Sequence, residues 1–265
     1  MNSIGADKQP ISPDLHDAKT TIGPRRHGAP QLPRAVEQLP FTISLVRNEE
    51  QMKKAVEIRH SAYARHLPDF ARTLLAPEPT DFEAGVFVFL ATAKEDGSPL
   101  GTIRLQTNTY KPLLLEQSVD LPAHLQGHSL AEATRLGVTP GAIGRLVKTA
   151  LFKSFFDFCI QHEIEWMVMA ARSPLDKVYE RLMFSDVFPE AGFVPLRHAS
   201  NLPHRIMALR VAAVDAMWRE AAHPLHGFFF GTQHPDIDRA EDVIDNPLHS
   251  LGATAGHGPA SAPLR

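Results

Sequence analysis

The sequence predicts an α/β (α+β) fold with one central mixed sheet and helices on both faces. Three observations carry that reading. Val86–Ala93 and residues 101–107 are β-prone runs joined through an Asp96-Gly97 turn, the signal of an antiparallel hairpin. Leu130–Val138 alternates loosely and runs through a Pro/Gly turn into a helix from Ala142. That helix keeps Ile143, Leu146, Val147, Ala150, Leu151, Phe155, Phe158 and Cys159 on one face. Trp166–Ala171 is a short apolar strand with another helix behind it. A hairpin that precedes a βαβ run requires both antiparallel and parallel pairs.

The elements follow in order. Residues 1–40 are rich in Pro, Gly and charge with no apolar period, and are expected to form a disordered arm. Residues 41–46 alternate as a strand. Asn48 caps the next helix, with Glu49 and Glu50 in its first turn and Gln51 at the capping-box position. That helix places Arg59 among apolar residues, either snorkelling at a core edge or aimed into a cleft. Pro68 is expected to end this region, with a short helix over 69–75. The Val86–Ala93 strand reads as buried on both faces. On its partner, Thr102, Arg104 and Gln106 share one face. Ser173 and Pro174 suit the N-cap and first position of a helix. Residues 192–196 and 204–211 close the sheet, and a helix over 211–221 follows. Residues 239–265 lose periodicity again and read as a disordered tail, leaving 41–238 as one domain.

Composition bounds the function. The 265 residues are 43% apolar with a net charge of −3, so no basic excess points to nucleic acid. The single cysteine, Cys159, excludes an intrachain disulfide framework and fits a reducing compartment. It sits on an apolar helix face and reads as a buried, inert thiol. No apolar run reaches the ~18 residues of a membrane span. The N-terminus lacks a signal-peptide apolar region, so a cytoplasmic protein is expected. The 14 histidines are scattered: neither His60 and His66 nor His223 and His226 have a carboxylate or cysteine at ligand spacing, so no metal site is expected.

The turn before the helix at 142 carries the first chemistry. A strand that passes through glycines into a helix leaves backbone N–H groups pointing outward, a ready anion site. Arg145 and Lys148 oppose the helix dipole there, which a phosphate in front of them would relieve. The same spacing also fits an ordinary βα unit with a solvated basic face.

The element order and this turn resemble the GNAT-type N-acyltransferases. Their turn, [QR]-x-x-G-x-[GA], is met here by Val138-Thr139-Pro140-Gly141-Ala142-Ile143-Gly144, with glycines three apart. Tyr179-Glu180-Arg181-Leu182-Met183-Phe184 is similar to their Y-x-x-L-G-F helix end, with Met183 at the usual glycine. A narrower set resembles the FeeM-type long-chain N-acyl amino acid synthases and the related acyl-homoserine-lactone synthases. It comprises Ile58-Arg59, Tyr63, Asp81-Phe82, Gly101-Thr102-Ile103-Arg104-Leu105 and Glu132-x-x-Arg135-Leu136. The resemblance spans about 41–211. Ala131 stands where the lactone synthases carry tryptophan, which favours the amino acid synthase branch, as does Phe228-Phe229-Phe230-Gly231-Thr232-Gln233-His234-Pro235-Asp236.

The resemblance implies a GNAT-like fold and transfer of a long-chain acyl group from acyl carrier protein to the amine of an amino acid. No permanently bound cofactor is implied; acyl-phosphopantetheine, on carrier protein or as acyl-CoA, is the co-substrate. Val138, Gly141, Ala142, Gly144 and Arg145 would hold its phosphate end. Arg145, Lys148 and Lys153 would meet the acidic carrier. Glu132 would be the general base, Arg135 a catalytic partner and Tyr179 the acid for the leaving thiolate. Arg59, Tyr63, Asp81 and Arg104 would bind the acceptor, with Arg104 or Arg59 on its carboxylate.

Each role has a plainer counterpart. Glu132 fits a structural ion pair with Arg135 or Arg104, Tyr179 a core-edge tyrosine and Asp81 a loop aspartate. Three residues from Glu132, Arg135 faces away in a regular strand and joins it only across a bulge. Phe87, Phe89, Phe152, Phe155, Phe156 and residues 113–115 suit either an acyl slot or closed core. Rival functions are a lactone synthase, a CoA-dependent acetyltransferase and a non-catalytic module that holds an acyl carrier.

Overall fold

The computed structural model describes residues 35–240, 243 and 245–249. The strands are β1 (Ala35–Val36), β2 (Phe41–Leu45), β3 (Val86–Ala93), β4 (Pro99–Thr107), β5 (Leu130–Val138), β6 (Trp166–Ala171), β7 (Ser185–Asp186), β8 (Val194–Leu196), β9 (Leu202–Arg210) and β10 (Thr232–Gln233). The helices are α1 (Glu49–Ala64), α2 (Pro68–Ala71), α3 (Gly141–Gln161), α4 (Asp176–Arg181) and α5 (Val214–Glu220). The main sheet runs β2-β3-β4-β5-β6-β9-β7, with β8 also on β9. Only β5 and β6 in that sheet are parallel, which is the βαβ unit around α3.

Side-chain alternation divides β3 between two cores. Phe87, Phe89 and Ala91 meet the α3 side with Phe155 and Phe158. Val88 and Leu90 pack with Met52, Ala55 and Ile58 of α1. The strand is therefore buried on both faces, as its apolar run predicts. Glycine lets helices approach closely on each side. A Cβ on Gly137 would meet Ala62 Cβ of α1 at 2.9 Å, and one on Gly101 would meet Val147 of α3 at 2.6 Å.

Several boundaries differ from the sequence reading. Asn48 caps α1 through Gln51 N–H at 3.0 Å, but the Gln51 side chain accepts from Arg47 N–H rather than from the cap residue. Pro68 opens α2 instead of ending the region, since the first helical turn needs no N–H there. Ser173 and Pro174 lie in a turn, and α4 starts only at Asp176 without a side-chain cap. Packing also passes both expected domain ends. Ala35–Val36 pairs with Thr232–Gln233, and Leu39, Ala240, Val243 and Leu248 are buried. Isolated apolar anchors among Pro and Gly have no period, so composition hides them. Residues 1–34 and 250–265 of the expected arm and tail lie outside the described residues.

The segment at 245–249 is tied to the loop before β3. Asn246 Nδ2 donates to the carbonyls of Asp81 (3.0 Å) and Glu83 (2.9 Å), and Gly85 N–H donates to Asp245 Oδ1.

Gly144 has a packing role. A Cβ there would lie 1.7 Å from the Thr139 carbonyl oxygen. Gly144→Ala is expected to destabilise the protein by at least about 1–3 kcal/mol, as overpacking does, read as a lower Tm. An unchanged Tm would show that the turn relaxes freely.

Candidate active site

Buried charge gathers where α1, the turn Pro79–Phe82, β4 and β5 meet. The side chains of Arg59 and Asp81 are fully buried, and Arg104 is 1% exposed. Asp81 binds Arg59 bidentately at 2.8 and 3.0 Å and accepts from Arg104 Nη1 at 3.1 Å. Glu78 binds Arg135 bidentately at 2.6 and 2.7 Å and accepts from Arg104 Nη1 at 3.0 Å. Arg104 Nε donates to Thr134 Oγ1 at 3.0 Å. Burial works to raise both carboxyl pKa values. For Glu78 the Arg135 hydrogen bonds and the other arginine charges reverse it; for Asp81, Arg59 and Arg104 do. Both stay ionised with lowered pKa values.

A bulge makes the arrangement possible. Thr102 pairs with Gly137 and Arg104 with Thr134, so Arg135 and Leu136 together oppose Ile103. Arg135 takes φ 53°, in the left-handed region. This is the bulge that alternation alone requires if Arg135 is to share the Glu132 side. The guanidinium also stacks over Phe70 at 5.1 Å.

Glu132 is fully buried on that side of β5, opposite Gln106. Neither Arg104 nor Arg135 lies within ion-pair distance of it, so the structural pairing with either is not formed among the described residues. Its Oε2 accepts from Leu115 N–H at 3.2 Å, while Oε1 has no hydrogen-bond partner among the described residues. Burial raises its pKa to about 7, against the pull of the Leu115 N–H and the nearby arginines.

The remaining predicted residues fall as follows. Tyr63 is half-buried beside the arginines, its pKa raised by burial. Tyr179 is buried between Phe152 and Phe184, and burial holds its hydroxyl protonated. Val138 gives its carbonyl to Arg65 Nη2. Gly141 opens α3 at φ 85° with open space around it, and Gly144 is filled by Thr139. No side chain caps α3, because Pro140 occupies the cap position. The outward N–H groups of residues 141 and 142 therefore remain available to an anion. Arg145 is exposed and Lys148 half-buried.

Lys153 corrects an expectation. It is buried, bound to Asp157 at 2.9 Å and to the Phe229 carbonyl at 3.1 Å, so it cannot meet a partner surface. Phe87, Phe89, Phe152, Phe155 and Phe156 are all closed core. Leu113 and Leu115 pack beneath the β5–β6–β9 face. Cys159 is buried, and its thiol pKa is pushed up.

Two residues escaped the sequence reading. Glu78 sits between prolines with no periodic signal. His198 is one of 14 scattered histidines; its ring faces Glu132 and its carbonyl accepts from Arg135.

Comparison with known proteins places this geometry. The family model of the N-acyl amino acid synthase FeeM matches residues 54–208. No curated protein matches the chain in sequence. Among solved structures, FeeM from uncultured soil microbes, an N-acyl amino acid synthase, aligns with a TM-score of 0.52 at 17% identity. The alignment covers 71% of this chain and 97% of that one. A CoA-dependent acyl-homoserine lactone synthase, BjaI, solved with SAM and isopentyl-CoA, aligns at 0.47 and 15%, covering 73% and 93%. An N-acetyltransferase from Staphylococcus aureus Mu50 aligns at 0.41 and 10%, covering 65% and 98%. The fold is that of the GNAT acyltransferases. Because the family match takes in more than half of the sequence and every arginine and carboxylate of the buried cluster, the chain belongs to the FeeM family of N-acyl amino acid synthases and is an acyltransferase.

Proposed function

We propose that the protein transfers a long-chain acyl group from acyl carrier protein to the amine of an amino acid. The carrying observation is a buried positive excess beside a carboxyl group poised near neutral pH. Three arginines meet two carboxylates, Glu78 and Asp81, which leaves one positive charge for an acceptor carboxylate to neutralise. Asp81 holds both terminal nitrogens of Arg59, which removes Arg59 as the clamp. Arg104 Nη2 and Arg135 Nη1 take no part in the cluster hydrogen bonds and suit that carboxylate.

The chemistry needs no covalent intermediate, since a thioester is already activated. Glu132 takes a proton from the acceptor ammonium. The amine nitrogen attacks the thioester carbonyl carbon, the carbon–sulfur bond breaks as the tetrahedral oxyanion collapses, and the nitrogen's second proton replaces the one that the leaving thiolate takes. The thiolate leaves with a proton from Tyr179, which burial keeps protonated for that purpose. The α3 N-terminus receives the phosphate of the phosphopantetheine arm. Around it, Arg145 and Arg181 lie close enough to lower the Lys148 pKa, after burial, and these cations suit an acidic carrier.

Purified protein given one amino acid pool with matched acyl-carrier and acyl-CoA donors tests this, with intact mass analysis of the products. N-acyl amino acids from the carrier donor, formed more slowly as salt is added, are expected. Amide formed only from acyl-CoA would remove the carrier, and none from either donor would remove the reading.

A further inference from the structure

His198 lies in the short turn Arg197–Ala199 between β8 and β9, with its side chain 8% exposed. Its Nε2 stands 3.8 Å from Glu132 Oε1. Among the described residues, Glu132 Oε1 and His198 Nδ1 are both buried without a hydrogen-bond partner. Native proteins seldom leave such atoms unmatched, so two of them side by side call for an explanation. The turn itself is anchored. Arg197 N–H donates to Ser118 Oγ at 2.9 Å, and the His198 carbonyl accepts from Arg135 at 3.2 Å.

The charged surroundings fix the protonation states. Glu132 faces Arg104 from β4, Arg135 from its own strand, and the N–H groups of Leu114 and Leu115. His198 faces Arg135, His204 from β9 and Arg104, and a hydrogen bond between its ring and the Leu114 backbone works the other way. Burial, then these cations, push the imidazole pKa down to about 4, so the ring is neutral at pH 7 with one N–H and one lone pair. The tautomer with its N–H on Nε2, the nitrogen 3.8 Å from Glu132 Oε1, is the one that can donate to that carboxylate. A closure of under about 1 Å converts 3.8 Å into a hydrogen bond, and catalytic contacts commonly tighten so when substrate binds.

We propose that His198 is a positioning residue for Glu132, its Nε2–H donating to Oε1 and aiming the carboxylate at the acceptor amine. The proposal rests on the reading of Glu132 as general base. A donor to the ionised form favours that form, so it limits how far burial raises the Glu132 pKa.

The test reads Glu132 directly. Full-length protein labelled with carboxyl-13C glutamate is titrated by NMR, and the Glu132 signal is assigned by its loss in Glu132→Gln. The parent midpoint is expected near 7. In His198→Ala it should rise by about 1–2 units, the size of one hydrogen bond to a charged group. His198→Gln, whose amide replaces Nε2–H, should bring it back, and the kcat/KM inflection should follow. If His198→Ala does not fold, His198→Asn, too short to reach Oε1, takes its place. A midpoint unmoved by loss of the ring, or one that glutamine fails to restore, overturns the proposal. A midpoint that moves while Glu132→Gln keeps full turnover upholds the pairing and removes the base.

Discussion

Glu132→Gln is expected to fold and to lose turnover by about 10²–10⁴-fold, the range of general-base removal. The amide keeps the shape and can still accept from Leu115 N–H, so packing is retained. It cannot take the acceptor's proton. In the parent enzyme kcat/KM should rise with pH through an inflection near 7, where Glu132 ionises. Stability should move the other way. The folded-state pKa lies above the ordinary value of 4.5, so the folded protein holds a proton that the unfolded chain releases between 4.5 and about 7. The favourable contribution of this group is complete below 4.5 and is lost as pH rises through 7. Glu132→Gln removes that loss. The variant should therefore be inactive yet at least as stable as its parent at pH 8. A variant that is both inactive and less stable at pH 8 would point to a structural carboxylate instead.

Asp81→Ala is expected to destabilise the protein by about 3–5 kcal/mol, measured by urea or thermal unfolding. Its carboxylate is wholly buried and holds Arg59 at two points and Arg104 at a third. Removing it leaves one fully buried guanidinium with a single longer contact, 3.4 Å to Glu78. It also removes the cap that Asp81 Oδ2 provides to Glu78 N–H, so the loop carrying Glu78 loses its lock. Asp81→Asn keeps the volume and should fall between parent and Ala. The pH response opposes that of Glu132. The Asp81 and Glu78 pKa values are lowered, so their contribution is present above the ordinary carboxylate range and is lost on acidification. A loss below about 1 kcal/mol in Asp81→Ala would mean that water or relaxation compensates the arginines.

The sequence was legible where side chains obey a short period. The hairpin, the strand–turn–helix unit and α3 follow from alternation and helical spacing alone. Arg59 stood out because a charge on an apolar face demands a partner, and Asp81 proved to be that partner, shared with Arg104 from the polar face of β4. The partner of Arg135 did not stand out. Glu78 lies 57 residues away in a loop between two prolines, and such loops carry no local signature. Lys153 misled for the same reason: its cover, the Phe229 backbone, comes from 76 residues further along. Gly144 looked like a phosphate-binding glycine, but contact with Thr139 already accounts for it. Met183, where the GNAT-type pattern leads one to expect glycine, takes φ 67°, in the left-handed region that favours glycine.

The extra residue in β5 also acts as a frameshift within the strand. Before it, Glu132 and Thr134 face the charged cluster; after it, Gly137 does, pressed against α1. Deleting Leu136 would restore strict alternation, leave Gly137 and Val138 on the sides they occupy, and set Arg135 alone opposite Ile103, facing away from the cluster. Substitutions can tune this site one side chain at a time. A change in length at this point removes one inward side chain and leaves the rest of the strand in register, whereas strict alternation counted through 135–136 assigns the inward residues of β5 wrongly from there on.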